Sequence, residues 1–520
     1  MGQWTRESIR QVIASKFAGR KIIAVSNREP YQHFRSNNRM DCAQPASGLI
    51  TAVDPIMRAS GGVWIAQGSG EADREAVDEW DHARVPPDEP AYTLRRVWLA
   101  PELSREYYYG LSNEAIWPVC HMVFRRPQFT ERSWQSYRRV NEIFAEAVLQ
   151  EAGGEAAVVL IQDYHFALLP RILKRHNPKL RVAQFWHIPW PDAGAVRILP
   201  WREELLQGLL GNDLLGFQLK EDCAHFFASV AQNARNALGA SGGCAAADGH
   251  VTTVRAFPIS IDFAEHSRRA ASKDVDANMR RWLGELGPAP EIVGIGIDRV
   301  DYTKGIPERL AALDLLFQEH PEYLGRLVFV QVGVPSRTAI PEYRSLDDEI
   351  AAQVSQINGR WAMRGWKPIV FVPRQLDQQT LIALHLMADF CVVSSLHDGM
   401  NLVAKEFVGS RIDEDGVLVL SEFAGAAREL TDALIVNPFC VYEIAAAMHD
   451  AITMAPQERR RRMLGMRAVV AANNVYRWGS ELLAALARTD PSHGAHHDRH
   501  RERLPEPEEN TYARRDAQFV

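Results

Sequence analysis

Two segments hold residues whose types and spacing suit the handling of an anion. Asp298-Arg299-Val300-Asp301-Tyr302-Thr303-Lys304-Gly305 sets two cations between the apolar run EIVGIGI and a helical stretch. Cations at the end of a buried strand and beside a helix N-terminus form a site for a diphosphate. The competing reading is that Arg299 and Lys304 simply pair with Asp298 or Asp301. Leu396-His397-Asp398-Gly399-Met400-Asn401-Leu402 follows another apolar run, DFCVVSS. There Gly399 and its neighbours can aim N–H groups into a crevice, with Asp398 at its mouth and Glu406 on the next helix. Carboxylates beside a diphosphate serve to accept hydrogen bonds from hydroxyls, such as those of a glucose ring and a ribose.

Weaker signals fall in the same kind of place. Ser26-Asn27-Arg28-Glu29-Pro30 puts an arginine at the end of the first apolar run, where it could hold a phosphate bidentately or be a plain surface charge. Ser47-Gly48-Leu49 opens a helix, and a glycine there lets backbone N–H groups approach an anion. Asp163 and His187 follow VVLIQ and RVAQFW, placed to read sugar hydroxyls; a helix cap is the alternative for the aspartate. Arg337, in Val334-Pro335-Ser336-Arg337, offers a third cation for a second anionic ligand. GIGIDR lacks the third glycine of a dinucleotide fingerprint, so a nicotinamide-binding domain is not supported.

The elements that must position these residues alternate between β-branched runs and helical stretches, the pattern of parallel sheets covered by helices. One group of runs covers residues 21–26, 158–162, 181–186 and 213–217, and a second covers 291–297, 326–333, 368–372, 389–395 and 417–421. A polar helical stretch closed by Gly287, Pro288 and Pro290 lies between them, which sets the boundary near residues 265–290. Two such domains imply a crevice between the carboxyl ends of two sheets, and the polar motifs fall just after strands in both halves.

Composition narrows the partners. The chain has 520 residues, 46% hydrophobic and 24% charged, and a net charge of −6, which gives no broad positive field for nucleic acid or an acidic membrane. Cys42, Cys120, Cys223, Cys244, Cys391 and Cys440 are scattered without a zinc-site spacing, as expected of reduced thiols in the cytoplasm. No targeting or membrane-spanning segment is apparent. Residues 491–520, with His493, His496, His497 and His500, read as a disordered polar tail.

The stretches VSNREP, EYYYGLSNEAIWP, QDYHFALLP, HIPWP, DLLGFQ, DRVDYTKGIPERL, PSR, INGRW, DGMNLVAKEF and VLSEFAGAARELTDALIVNP are long and collinear. In them the chain resembles the trehalose-6-phosphate synthase family of retaining glycosyltransferases from about Lys21 to Arg488. The resemblance implies a GT-B fold, an α/β arrangement of two Rossmann-like domains facing each other: residues 1–270 for the acceptor and 271–490 for the nucleotide sugar. It implies that Arg299 and Lys304 hold the donor diphosphate, Asp398 and His187 the transferred glucose and Glu406 the ribose. Gly48, Gly399, Met400, Asn401 and Leu402 complete the donor side. Arg28, Tyr108, Trp117, Asp163 and Arg337 match the positions for glucose 6-phosphate, with the two arginines on its phosphate.

The implied reaction moves glucose from a nucleoside diphosphate glucose, UDP-glucose foremost, to glucose 6-phosphate with retained configuration and no protein nucleophile. No cofactor and no metal are implied, and a homo-oligomer is left open. Three departures bear on recognition: Ser47 in place of a second glycine, Ile65-Ala66-Gln67-Gly68 running on with an extra residue where the family often has a second tryptophan near the acceptor, and His397 where arginine is common. Transfer to another phosphorylated acceptor such as glycerol 3-phosphate, coupling of a pseudo-sugar, and a catalytically silent regulatory homologue are the alternatives. Asp413-Glu414-Asp415-Gly416 precedes a strand instead of ending one, so it reads as a surface turn and not as a phosphatase motif.

Overall fold

The computed structural model describes residues 4–36, 39–45, 48–233, 238–240, 243–245, 249–286 and 290–489. The expected tail at 491–520 and Ser47 lie outside these residues. The first sheet has ten strands in the order Leu238–Ala240, Gly243–Ala245, Val251–Ala256, Leu214–Phe217, Arg181–Phe185, Ala157–Gln162, Lys21–Arg28, Val63–Gln67, Tyr92–Val97 and His82–Val85. Its centre is parallel, and each edge closes with antiparallel pairing. The second sheet has six strands, all parallel, in the order Ile369–Val372, Leu327–Val334, Ile292–Arg299, Phe390–Val393, Val417–Ser421 and Leu434–Val436.

Central strands are apolar on both faces because helices cover both sides of a parallel sheet; Ala157–Gln162 is buried along its whole length. The two sheets form two Rossmann-like units, and their carboxyl ends meet across a crevice. Contact there is close: a Cβ on Gly399 would lie 2.1 Å from the His187 carbonyl oxygen, so only glycine lets the two backbones pack.

Each expected apolar run is a strand, with ends displaced by a few residues. The displacements carry meaning at two points, since Lys21–Arg28 and Ile292–Arg299 both run on to include the arginine that the sequence places just past the strand. The polar stretch between the halves forms helices Phe263–Ala270 and Lys273–Glu285. The last helix, Val475–Arg488, returns to the first unit, where Gly479 fits against Ile9 and Ile56 and Trp478 meets Phe185 edge-on at 5.2 Å. Its entry is bonded to the outgoing crossing: Val475 N donates to Ile261 O at 3.0 Å, and Tyr476 Oη donates to Asp262 Oδ2 at 2.5 Å.

Tyr108 and Trp117 sit on one continuous helical run, Pro101–Ser104, a π-helical stretch Arg105–Ile116, and Trp117–His121. At about 3.6 residues per turn, positions nine apart face opposite ways. The wider i→i+5 winding turns both side chains toward the crevice. No helix among the described residues is long and apolar enough to cross a membrane.

Candidate active site

The segment after the strand Ile292–Arg299 is organised by its aspartates. Asp298 pairs with Arg309 at 2.8 Å, and Gly296 makes this possible, because a Cβ there would lie 2.2 Å from the Arg309 guanidinium. Asp301 pairs with Arg337 at 2.7 Å and also caps the turn that follows by accepting from Thr303 N at 3.1 Å. Both carboxylates are therefore engaged by other arginines. Among the described residues the Arg299 side chain has neither an ion pair nor a hydrogen bond, so the pairing alternative does not hold for it. Burial, together with the guanidiniums of Arg337 and Arg28, pushes Arg299 below the usual arginine range. An arginine in that state is a ready receptor for an anion.

Lys304 has a different partner. Its Nζ donates to Asp398 Oδ2 at 2.5 Å, and the same oxygen receives Ser395 Oγ at 3.2 Å and Asn401 Nδ2 at 3.1 Å. Burial works against the charge of Asp398, yet Lys304 outweighs it and holds the carboxyl below the usual range. Asp398 is not the cap of the next helix. That role falls to Asn401, at φ 67°, whose side chain accepts from Ala404 N at 3.2 Å, and the helix Leu402–Ser410 begins there. Met400 is buried beneath this turn. Leu402 packs on Gly48, the first residue of the helix Gly48–Ser60, where a Cβ would meet Leu402 Cδ1 at 2.6 Å. The Glu406 side chain is half-buried with no hydrogen-bond partner among the described residues, and burial pushes its carboxyl up to about 7.

On the facing unit, His187 lies at the end of Arg181–Phe185. Gln162 Nε2 donates to Leu160 O, so Gln162 Oε1, 2.9 Å away, accepts from His187 Nε2–H and leaves Nδ1 as a bare acceptor. Burial lowers His187 to about 3, which keeps the ring neutral. Asp163, at φ 72°, accepts from His187 N at 3.2 Å and does not cap a helix with its side chain. Burial raises its carboxyl to about 7, against the pull of Arg337 and Arg299.

Arg28, Tyr108, Trp117 and Arg337 converge. Arg28 donates to Tyr108 Oη at 3.3 Å, Tyr108 stacks on His165 with ring centroids 5.7 Å apart, and the Arg337 guanidinium lies 4.0 Å over the Trp117 ring. Burial would raise Tyr108, but Arg28, Arg337 and Arg299 outweigh it and bring the phenol down to about 7. Arg28 and Tyr108 of the first unit thus meet directly, and Trp117 meets Arg337 of the second. Arg309, which engages Asp298, and Tyr343, which accepts from Arg337 at 2.6 Å, are not singled out by the sequence reading, and Asp301 enters it only as a pairing partner. A buried network of Glu29, Asp73 and Arg96 behind Arg28 is also missed; Arg96 lies 2.8 Å from each carboxylate.

The profile of Glycosyltransferase family 20 matches residues 20–488. The chain belongs to glycosyltransferase family 20. It is a glycosyltransferase with the GT-B arrangement of two facing Rossmann-like domains. Similar members include the trehalose-6-phosphate synthase of Mycolicibacterium vanbaalenii, 36% identical over 488 residues that cover 92% of this chain and 98% of that protein. A bifunctional trehalose-6-phosphate synthase/phosphatase of Thermoproteus tenax is 38% identical, with 90% of this chain matching 63% of that longer protein. Among solved structures, one from E. coli bound with UDP-2-fluoro glucose superposes with a TM-score of 0.80 at 31% identity, covering 90% of this chain and 99% of that one. An α,α-trehalose-phosphate synthase (UDP-forming) from Burkholderia xenovorans in complex with glucose-6-phosphate gives 0.80 at 29% identity, with coverage of 90% and 99%.

Proposed function

We propose that this glycosyltransferase moves glucose from UDP-glucose to glucose 6-phosphate and releases trehalose 6-phosphate with retained anomeric configuration. The observation that carries the reading is the unpaired Arg299, left free at the carboxyl end of its strand because Arg309 and Arg337 occupy the neighbouring aspartates. The relatives that synthesise trehalose 6-phosphate and the solved structures with a UDP-sugar analogue and with glucose 6-phosphate support the choice of substrates.

In this reading the second domain, from about residue 271 and without the returning helix Val475–Arg488, takes the donor. Arg299 and Lys304 neutralise the diphosphate, assisted by backbone N–H groups of Gly399, Met400, Asn401 and Leu402, and Gly48 closes the pocket from the facing domain. Asp398 and His187 accept hydrogen bonds from the glucose, and Glu406 accepts them from the ribose. The first domain, residues 1–270, takes the acceptor through Arg28, Tyr108, Trp117 and Asp163, with Arg337 reaching its phosphate from across the crevice. The bond from the anomeric carbon to the diphosphate oxygen breaks, and the acceptor hydroxyl attacks on the same face. Its proton passes to the leaving phosphate oxygen. The protein supplies stabilisation of the developing negative charge and exclusion of water, with no covalent glycosyl-enzyme.

A second reading, transfer to a smaller phosphorylated acceptor, is favoured by one observation. Gln67 stands beside Arg28 in the strand register and donates to Ser104 Oγ at 3.0 Å, giving a polar wall where the resemblance leads one to expect an aromatic ring. Incubation with UDP-, ADP- and GDP-glucose against glucose 6-phosphate and glycerol 3-phosphate, with the product anomer read by NMR, separates the two. Absence of transfer to any acceptor overturns both.

A further inference from the structure

A direct hydrogen bond joins the two domains beside the reacting groups. His397 Nδ1 lies 2.8 Å from the carbonyl oxygen of His121. A carbonyl only accepts, so Nδ1 carries the proton. Burial holds His397 below the usual histidine range and His121 at about 3, so the bond is made by a neutral ring. His121 ends the helical run that bears Trp117, where terminal carbonyls lack intrahelical partners, and His397 supplies one. The His121 ring is itself fixed to Trp117, donating to its carbonyl at 2.9 Å with the ring centroids 4.0 Å apart. On the other side of the bond, Asp398 is the next residue in the chain.

We infer that His397 is a positioning residue that ties the Asp398 loop to the Trp117 helix across the crevice, so that ligand occupancy on one side is coupled to the other. The inference rests on the functional reading above. Opening the crevice breaks the bond and strands both partners, which makes it a feature of the closed form alone. A ligand that touches both Trp117 and Arg337 favours that form, and in it Asp398 is fixed by Lys304, Ser395 and Asn401 for the donor.

Calorimetric titration of UDP into the full-length protein, with and without saturating glucose 6-phosphate, tests this. The wild type is expected to bind UDP about fivefold or more tightly with glucose 6-phosphate present. His397→Asn keeps an N–H donor at the Nδ1 position and is expected to retain the coupling. His397→Leu, which fills the space without a donor, and His397→Ala are expected to bind UDP alone much as the wild type does but to lose the coupling. Should His397→Ala fail to fold, His397→Leu carries the comparison. Coupling that persists in the leucine variant, or is lost equally in the asparagine variant, overturns the inference. Wild-type binding of both ligands without coupling overturns it and leaves the functional reading intact, whereas binding of neither overturns both.

Discussion

Arg337 of the second domain stacks on Trp117 of the first, with the guanidinium carbon 4.0 Å from the ring centroid. The proposed acceptor site is therefore assembled from both sheets and is complete only when they are apposed. Arg337 also bonds Asp301 at 2.7 Å and Tyr343 Oη at 2.6 Å, which fixes its orientation. Arg337→Ala is expected to raise the acceptor KM by about ten- to a hundredfold, the scale of a charge-assisted hydrogen bond. Arg337→Lys should recover little, because an ammonium cannot keep both the stack and the fork. Steady-state kinetics at saturating donor check this; an unchanged acceptor KM would remove Arg337 from the site.

Lys304→Ala is expected to lower kcat by about a hundredfold to a thousandfold, the usual effect of deleting a group that stabilises developing charge. Acceptor KM should change little. The variant also frees Asp398 from its 2.5 Å partner, so Asp398→Asn is the companion measurement. A purely structural ion pair predicts loss of thermal stability in both variants, with turnover intact in the folded fraction.

Glu406 supplies a pH test with a definite sign. Its folded pKa, about 7, is raised above the usual 4.5 by burial, so its protonated form favours the folded state at low pH and that contribution is lost as pH rises through about 7. Glu406→Gln removes the charge, and its gain in Tm over the wild type is expected to be larger at pH 8 than at pH 5. Hydroxyl donors from the ribose favour the carboxylate, so UDP binding near pH 6.5 should release a proton, seen in calorimetry across buffers of different ionisation heat. The variant should bind UDP more weakly and release less, keeping only the proton that the terminal phosphate of UDP itself gives up.

Tyr108 gives the opposite linkage. Three arginines outweigh burial to bring its phenol to about 7, so the free protein at pH 8 should show phenolate absorbance near 295 nm. A bound acceptor phosphate neutralises those arginines and restores the neutral phenol. Glucose 6-phosphate is expected to bleach the band with proton uptake, and Tyr108→Phe should lack it; a spectrum unaffected by the ligand would argue against phosphate binding at Arg28 and Arg337.

The sequence shows the cations at Arg28, Arg299, Lys304 and Arg337 because each follows an apolar run that ends at the crevice. It does not show which of them are free. That depends on Arg309 crossing over Gly296 to reach Asp298, and on Arg337 reaching Asp301 from 36 residues away, contacts set by the register of two neighbouring strands. The strand Tyr92–Val97 is hidden for a related reason. Its Arg95 and Arg96 suggest a surface, yet Arg96 is fully buried against Glu29 and Asp73, far away in the chain. The facing of Tyr108 and Trp117 is likewise invisible to an α-helical period, since a π-helical stretch sets it.

Arg96→Ala should show how much the network behind Arg28 contributes. Removing the arginine of a fully buried ion cluster costs about 3–5 kcal/mol, because Asp73 keeps its charge without compensation while Glu29, already raised to about 7 by burial and Asp73, takes a proton. Denaturant unfolding should report that loss, with UDP binding by the folded protein unchanged. A loss below about 1 kcal/mol would mean that water or rearrangement satisfies Glu29 and Asp73.

The return of the helix Val475–Arg488 to the first domain has a consequence for biosynthesis. The apolar face made by Ile9 and Ile56 stays uncovered until Gly479 has left the ribosome, so the domain begun first is finished last. Nearly the whole second domain has emerged by then and can fold on its own schedule. A nascent chain stalled before residue 475 would expose that face as a place for chaperones to bind.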